Sequence, residues 1–256
     1  MEFKGNMILD LTSKGDFAQI DLVNQISSDD YHIIKGICSV DGKINYVKSA
    51  SEERLIPELV GSLLCKELGL DAVDYKIATD MHGRLYAMSQ IFYEDNCFYT
   101  HPSEIILTFL KPFKLSFVDH LDMLNDEMKK SILKLSCVDI KMCQVDRTSR
   151  NIMIKKNIET SEVSFAPIYD FGLSYVNFNP SYYTNPYLIV RKNVLSLKSL
   201  ARKYPEFYGY AKKISSIDMA DILGRIEKDH DVKFSDSEIK NYVSKDKEYS
   251  KPLKRL

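Results

Sequence analysis

Three polar side chains stand at telling spacings in the middle of the chain: Asp146, then Asn151, then Asp170 at the head of an Asp170-Phe171-Gly172 triplet. An acid, an amide and a second acid are what phosphoryl transfer asks of a protein. That reaction is mostly positioning and charge neutralisation, so it needs one carboxylate to take the proton of the acceptor hydroxyl and hard oxygen ligands to fix Mg²⁺ on the phosphates. On this reading Asp146 is the catalytic base, and Asn151 and Asp170 are the metal ligands.

These residues need elements that bring them together. Residues 152–154 and 163–169 read as two strands, so a hairpin would return Asp170 to the end where Asn151 sits. Upstream, Asp41-Gly42 between the β-like runs 32–40 and 43–48 signals a two-residue hairpin turn, because both turn positions require positive φ. The hairpin sets Lys48 near the end of a strand. Residues 57–70 then combine apolar positions at helical spacing with a proline start at Pro57 and a glycine stop at Gly69, which places Glu58 in the first turn. In kinase folds a lysine so placed contacts the α- and β-phosphates of ATP, and a carboxylate on the next helix holds it. Lys48 and Glu58 are the candidates. A surface lysine and a glutamate favoured by the helix dipole would be the ordinary account of either residue alone. Each short motif is common by chance; their order and gaps in one chain are what point to phosphoryl transfer.

Residues 24–31 lie where a phosphate-covering loop belongs. They lack Gly-x-Gly-x-x-Gly, but backbone amides and the hydroxyls of Ser27 and Ser28 could meet phosphate oxygens. Residues 85–92 form an apolar strand followed by the polar 93–96, suited to joining two lobes, with adenine set against the backbone of Gln90, Ile91 and Phe92. From Ser103 onward the pattern is mainly helical, clearest over 117–124, 126–139, 196–210, 216–229 and 235–243. The fold class expected is therefore α+β: a bilobed, protein-kinase-like fold with a small β-rich N-lobe over 1–92 and a mainly helical C-lobe over 93–256.

Composition narrows the function classes. With 256 residues, 45% hydrophobic and 28% charged, the chain can bury a core and is neither fibrous nor disordered in type. Thirty-five Lys and Arg against 36 Asp and Glu leave a net charge of −1, without the basic field that would suggest direct nucleic-acid contact. Its five cysteines are odd in number, widely spaced and without a Cys-x2-Cys pair, which suits reduced thiols in a cytoplasm and offers no zinc site. No apolar run reaches membrane-spanning length, and the N-terminus lacks a secretion pattern. The expected location is cytoplasmic, with an effector exported without such a signal left open.

With Lys48, Glu58, Asp146, Asn151 and Asp170 in place, the chain resembles the HipA-like kinases, bacterial toxin and effector kinases of the HipA and CtkA type. The resemblance covers roughly residues 30 to 175. It rests on the Asp-Gly turn with Tyr46-Val47-Lys48, Glu58 with Glu67-Leu68-Gly69-Leu70, Asp146-Arg147 with Asn151, and Ala166-Pro167-Ile168-Tyr169-Asp170. It implies an ATP-dependent serine/threonine protein kinase that uses Mg²⁺, a protein substrate, frequent pairing with an antitoxin, and autophosphorylation in the phosphate loop, where Ser27 and Ser28 are the candidates. Gln144-Val145 stands where eukaryotic kinases carry His-Arg, and no Ala-Pro-Glu follows Asp170, so a eukaryotic-type activation segment is not expected. The Asp-Arg-x-x-x-Asn pattern also occurs in phosphoinositide kinases. A lipid or small-molecule kinase is thus one alternative, and a nucleotide-binding pseudokinase acting through protein interaction is another. Retention of all five polar positions weighs against the last.

Overall fold

The computed structural model describes residues 2–3, 8–9, 17–21, 35–40, 42–80, 82–101, 121–122, 124–144, 147, 151–175 and 194–256. Its main sheet contains β2 (Ile8–Leu9), β3 (Phe17–Asp21), β4 (Lys35–Val40), β5 (Lys43–Ser49), β6 (Tyr75–Asp80) and β7 (Leu85–Gln90), in the order β2-β6-β7-β5-β4-β3. All neighbours are antiparallel except β2 and β6. A separate pair joins β1 (Glu2–Phe3) to β11 (Val232–Lys233).

The expected hairpin forms, with Val40 opposite Lys43 and Gly42 at φ 72°. Its second strand β5 is internal to the sheet, flanked by β4 and β7. Side chains alternate across a strand, so the buried Asn45, Val47 and Ser49 share one face, and Tyr46 and Lys48 point from the other. That second face opens onto the site.

Helix α1 (Glu52–Glu67) is capped at Ser51, so its first residue comes five before the expected proline start. Pro57 is therefore inside the helix, where it has no N–H for the carbonyl one turn back, a defect that costs about 3 kcal/mol in an ordinary helix. Burial offsets it: ten consecutive-turn residues from Leu55 to Cys65 are buried, on nearly every side of the helix. Glu58 thus sits in the second turn at 2% exposure, and a dipole-stabilised surface glutamate no longer describes it. The glycine stop holds. Gly69 has φ 67°, Gly69 N–H donates to the Lys66 carbonyl at 2.9 Å and Leu70 N–H to the Cys65 carbonyl at 2.9 Å, the paired closing bonds of a left-handed helix end.

A three-stranded sheet follows, β8 (Cys97–Thr100), β9 (Ile154–Asn157) and β10 (Val163–Phe165), in the order β10-β9-β8. The expected hairpin is β9–β10, with Phe165 opposite Ile154, although each strand is displaced or shorter than the sequence suggests. The helices are α2 (Asp126–Lys141), α3 (Val194–Lys203), α4 (Glu206–Ser216), α5 (Met219–His230), α6 (Asp236–Tyr249) and α7 (Lys251–Lys254). One helix expected over 196–210 is two, because Pro205 can open α4 but cannot continue α3. Strands β1, β6, β8 and β11 were not expected, and most of 117–124 and all of 24–31 lie outside the described residues.

The large core joins α1 to the helical part: Leu55, Leu59 and Leu64 belong to one cluster with Ile132, Leu135 and Val138 of α2 and Ile222 and Ile226 of α5. The sheet keeps a smaller cluster, Cys38, Val47, Ala78, Tyr86 and Met88. At the end of α2 the fully buried Lys141 meets Asp246 of α6 at 2.6 Å and donates to the Ile217 carbonyl at 3.1 Å. Burial pulls the Lys141 ammonium below its ordinary range, and the Asp246 carboxylate works against that. Asp246→Ala should therefore cost about 3–5 kcal/mol in urea denaturation by stranding a buried ammonium, whereas Lys141→Met with Asp246→Leu should recover most of the loss.

Candidate active site

Between β5, β7, α1 and the chain on either side of the β9–β10 hairpin lies a cleft of about 530 Å³. Lys48, Glu58, Gln90, Ile91, Phe92, Asn151 and Asp170 all line it, so the sequence-predicted residues that are described converge on one cavity. Asp146, Ser27 and Ser28 lie outside the described residues.

The Lys48 ammonium bridges two carboxylates. It is 3.0 Å from Asp170 Oδ1 and 3.5 Å from Glu58 Oε1. Burial works against the Lys48 charge, but Asp170 and then Glu58 outweigh it and hold the ammonium above its ordinary range. For Glu58 the balance differs: burial pushes the carboxyl upward, Lys48 pulls it down, and Asp170 adds to the push. Glu58 Oε2 also accepts the Phe171 N–H at 2.7 Å, so one buried side chain holds the β5 lysine with one oxygen and the Asp-Phe-Gly backbone with the other.

Steric fit locks the same joint. The Phe171 ring is fully buried against α1 at Gly61, where a Cβ would come within 2.2 Å of the ring. A Cβ on Gly172 would lie 3.0 Å from Glu58 Oε1. Two glycines thus allow α1 and the Asp-Phe-Gly segment to close on each other.

Asp170 itself is in the left-handed region at φ 65°, a conformation that costs of order 1–3 kcal/mol for a residue with a side chain. Neighbouring bonds fix it there. Gln144 Nε2 donates to the Asp170 carbonyl at 2.7 Å, and Asp170 N–H donates to the Tyr75 hydroxyl at 3.3 Å. Gln144 is aimed by the end of α2: Cys143 turns left-handed at φ 51°, while Cys143 and Gln144 N–H groups close on the Ile140 and Asp139 carbonyls at 3.1 and 2.8 Å.

Arg147 ties the remaining pieces. At 1% exposure it donates through Nη1 to the carbonyls of Asn151 (3.1 Å) and Tyr169 (2.6 Å), and through Nε to Asp139 Oδ2 (3.2 Å). Its guanidinium lies 4.5 Å from the centre of the Phe171 ring. One rigid fork therefore spaces the Asn151 backbone from the residue before Asp170.

At the opposite end, Ile91 N–H donates to the Ile44 carbonyl at 3.1 Å, and the Phe92 carbonyl accepts from the Tyr99 hydroxyl at 3.2 Å. Phe92 and Tyr169 stack with ring centres 6.3 Å apart, giving this end an aromatic wall. Asp170 and Asn151, a carboxylate and an amide on one cavity, are donor types that suit Mg²⁺, which takes few protein oxygens and completes its shell with phosphate and water.

Sequence reasoning missed Gln144, Asp139, Tyr75 and the positioning part of Arg147. Arg147 stands beside the acid in the Asp-Arg-x-x-x-Asn pattern, where it was given no positioning role; Tyr75 carries no local signal, because its partner Asp170 lies 95 positions away, and Asp139, eight positions before Arg147, ends a helical run with nothing to mark it.

No family model matches the chain, and no curated protein matches it. Solved structures do. The Helicobacter pylori proinflammatory kinase CtkA is similar at a TM-score of 0.62 and 13% identity, over 86% of this chain and 93% of that one. A chain of the Shewanella oneidensis MR-1 toxin–antitoxin complex of HipA, HipB and operator DNA gives 0.54 and 13%, over 83% of this chain and 58% of that one. The α+β, kinase-like fold is that of these structures, as the HipA-like resemblance implied.

Gly61→Ala tests the joint with a discriminating sign. Helix propensity alone would make it about 1 kcal/mol stabilising, but displacement of the Phe171 ring should make it about 1–3 kcal/mol destabilising in denaturant unfolding, with Phe171→Leu in the same chain restoring part of the loss.

Proposed function

We propose that the chain is an ATP- and Mg²⁺-dependent phosphotransferase whose acceptor is a serine or threonine hydroxyl of a protein. The observation that carries this is the meeting of Lys48, Glu58 and Asp170 in the same cleft as Asn151 and the 90–92 strand end. Fold likeness to CtkA and to the HipA–HipB complex supports the reading.

In this reading Gln90, Ile91 and Phe92 line the base end, Lys48 binds phosphate oxygens, and Glu58 keeps the lysine in place. Asp170 and Asn151 would hold Mg²⁺, which when bound neutralises charge on the transferring phosphoryl group. Asp146 orients the acceptor hydroxyl and takes its proton. The nucleotide lies between an N-lobe over 1–92 and a C-lobe over 93–256, and Ser27 and Ser28 are the autophosphorylation candidates. An antitoxin partner belongs to the reading through the HipA-like resemblance, and a cytoplasmic location through the cysteine pattern. Among the described residues, no helix is long and apolar enough to cross a membrane.

Two measurements decide the core of the proposal. Asp170→Asn and Asn151→Ala should each reduce the Mg²⁺-dependent part of ATP affinity in calorimetry and leave metal-free nucleotide binding nearly unchanged; parent-like Mg·ATP binding by both would refute the metal assignment. Asp146→Asn should bind Mg·ATP almost normally yet lose about 10²–10⁴-fold in phosphorylation rate, because a base contributes at the transition state and little in the ground state. Intact-mass spectrometry of the parent incubated with Mg·ATP, alone and with cell extract, reads the acceptor class. Phosphate on a small molecule or lipid with none on protein would overturn the protein-kinase assignment.

A further inference from the structure

His101 also lines the cleft, and none of the roles above uses it. Its Nδ1 is 2.9 Å from the Ile152 carbonyl oxygen. A carbonyl can only accept, so Nδ1 carries the proton; in the neutral ring Nε2 is then an acceptor, and it is the one polar atom of the side chain left to face a ligand.

Its place along the cleft says which part of a ligand that would be. His101 directly follows β8 and lies two residues after Tyr99, which keeps their backbones within about 7 Å of each other. Tyr99 marks the base end: its hydroxyl bonds the Phe92 carbonyl, and its ring centre is 6.0 Å from that of Phe92. Ile152 marks the other end, since it follows Asn151, and the Arg147 fork holds the Asn151 carbonyl toward Tyr169 and Asp170. His101 therefore stands between the base end and the phosphate end. In a nucleotide the group between base and phosphates is the ribose, whose 2′- and 3′-hydroxyls are donors that match an imidazole acceptor. A phosphate oxygen, itself an acceptor, does not match it.

We propose that His101 accepts a hydrogen bond from a ribose hydroxyl and makes the cleft selective for ribonucleotides. This rests on the ATP reading of the site. Orientation by Ile152 is part of the device, because a ring free to turn would present either nitrogen.

The test compares Mg·ATP, Mg·2′-deoxy-ATP and Mg·3′-deoxy-ATP by calorimetry on the parent, His101→Phe and His101→Gln. The parent should prefer ATP over at least one deoxy analogue by roughly threefold to tenfold, the size of one neutral hydrogen bond. His101→Phe should bind ATP only as well as the parent binds that analogue, with the sugar preference gone. His101→Gln, which retains an acceptor, should keep part of the preference and serves if the Phe variant does not fold. A merely structural histidine would lower affinity for all three nucleotides alike. Equal binding of the three by the parent, or a sugar preference that survives in both variants, overturns the assignment. ATP binding without sugar selection would refute the role of His101 alone, whereas failure of the parent to bind ATP would remove the phosphotransferase reading with it.

Discussion

The site depends on one buried charge. A carboxylate at 2% exposure, as at Glu58, is tolerable only with a cation and a backbone donor in reach, and these come from different parts of the chain: Lys48 from the main sheet and Phe171 N–H from the segment after β10. Satisfying Glu58 therefore fixes three elements relative to one another. Hydrophobic packing pulls in the same direction, since α1 is buried among α2, α5 and the sheet and leaves at Gly61 the space that the Phe171 ring fills. Charge and shape agree on a single arrangement, which is how a sequence specifies one state.

The helical side of the cleft is held by a second buried ion pair. Asp139 is on α2, and through Arg147 its charge reaches the Asn151 and Tyr169 carbonyls. The left-handed turn at Cys143 then sends Gln144 to the carbonyl of Asp170, itself left-handed. The residue after one strained position thus bonds the backbone of the other. Strain of this kind persists only where surrounding structure over-determines it, and here both ends of the bond are anchored in the core.

Local chemistry was legible in the sequence wherever it was written in contiguous residues. The Asp-Gly turn, the glycine end of α1 and the β9–β10 hairpin all appear, because each is set by a few neighbouring side chains and a backbone angle. Pro57 misled because its propensity was read without its burial: tertiary packing can hold a proline within a helix, and that moved Glu58 from the first turn to a buried second one. Pro205 misled in the opposite sense, breaking a run that its apolar spacing would have continued. The joining of Lys48 to Asp170 across 122 positions is visible only as a motif order, and the bonds of Tyr75 and Gln144 to the Asp170 backbone have no sequence signal at all.

The commitment of the Ile91 amide to the Ile44 carbonyl bears on inhibitor chemistry. A heteroaromatic compound that places a ring nitrogen against that amide meets a donor already satisfied within the sheet, and the contact would require breaking a strand-like bond for one of equal kind. Scaffolds suited to this cleft would instead pack against the aromatic wall that Phe92 and Tyr169 form together and seek their polar anchor toward the Lys48 end. A compound whose binding depends on a free amide at this place should therefore bind poorly here, and a series built for this cleft would take its first polar contact elsewhere.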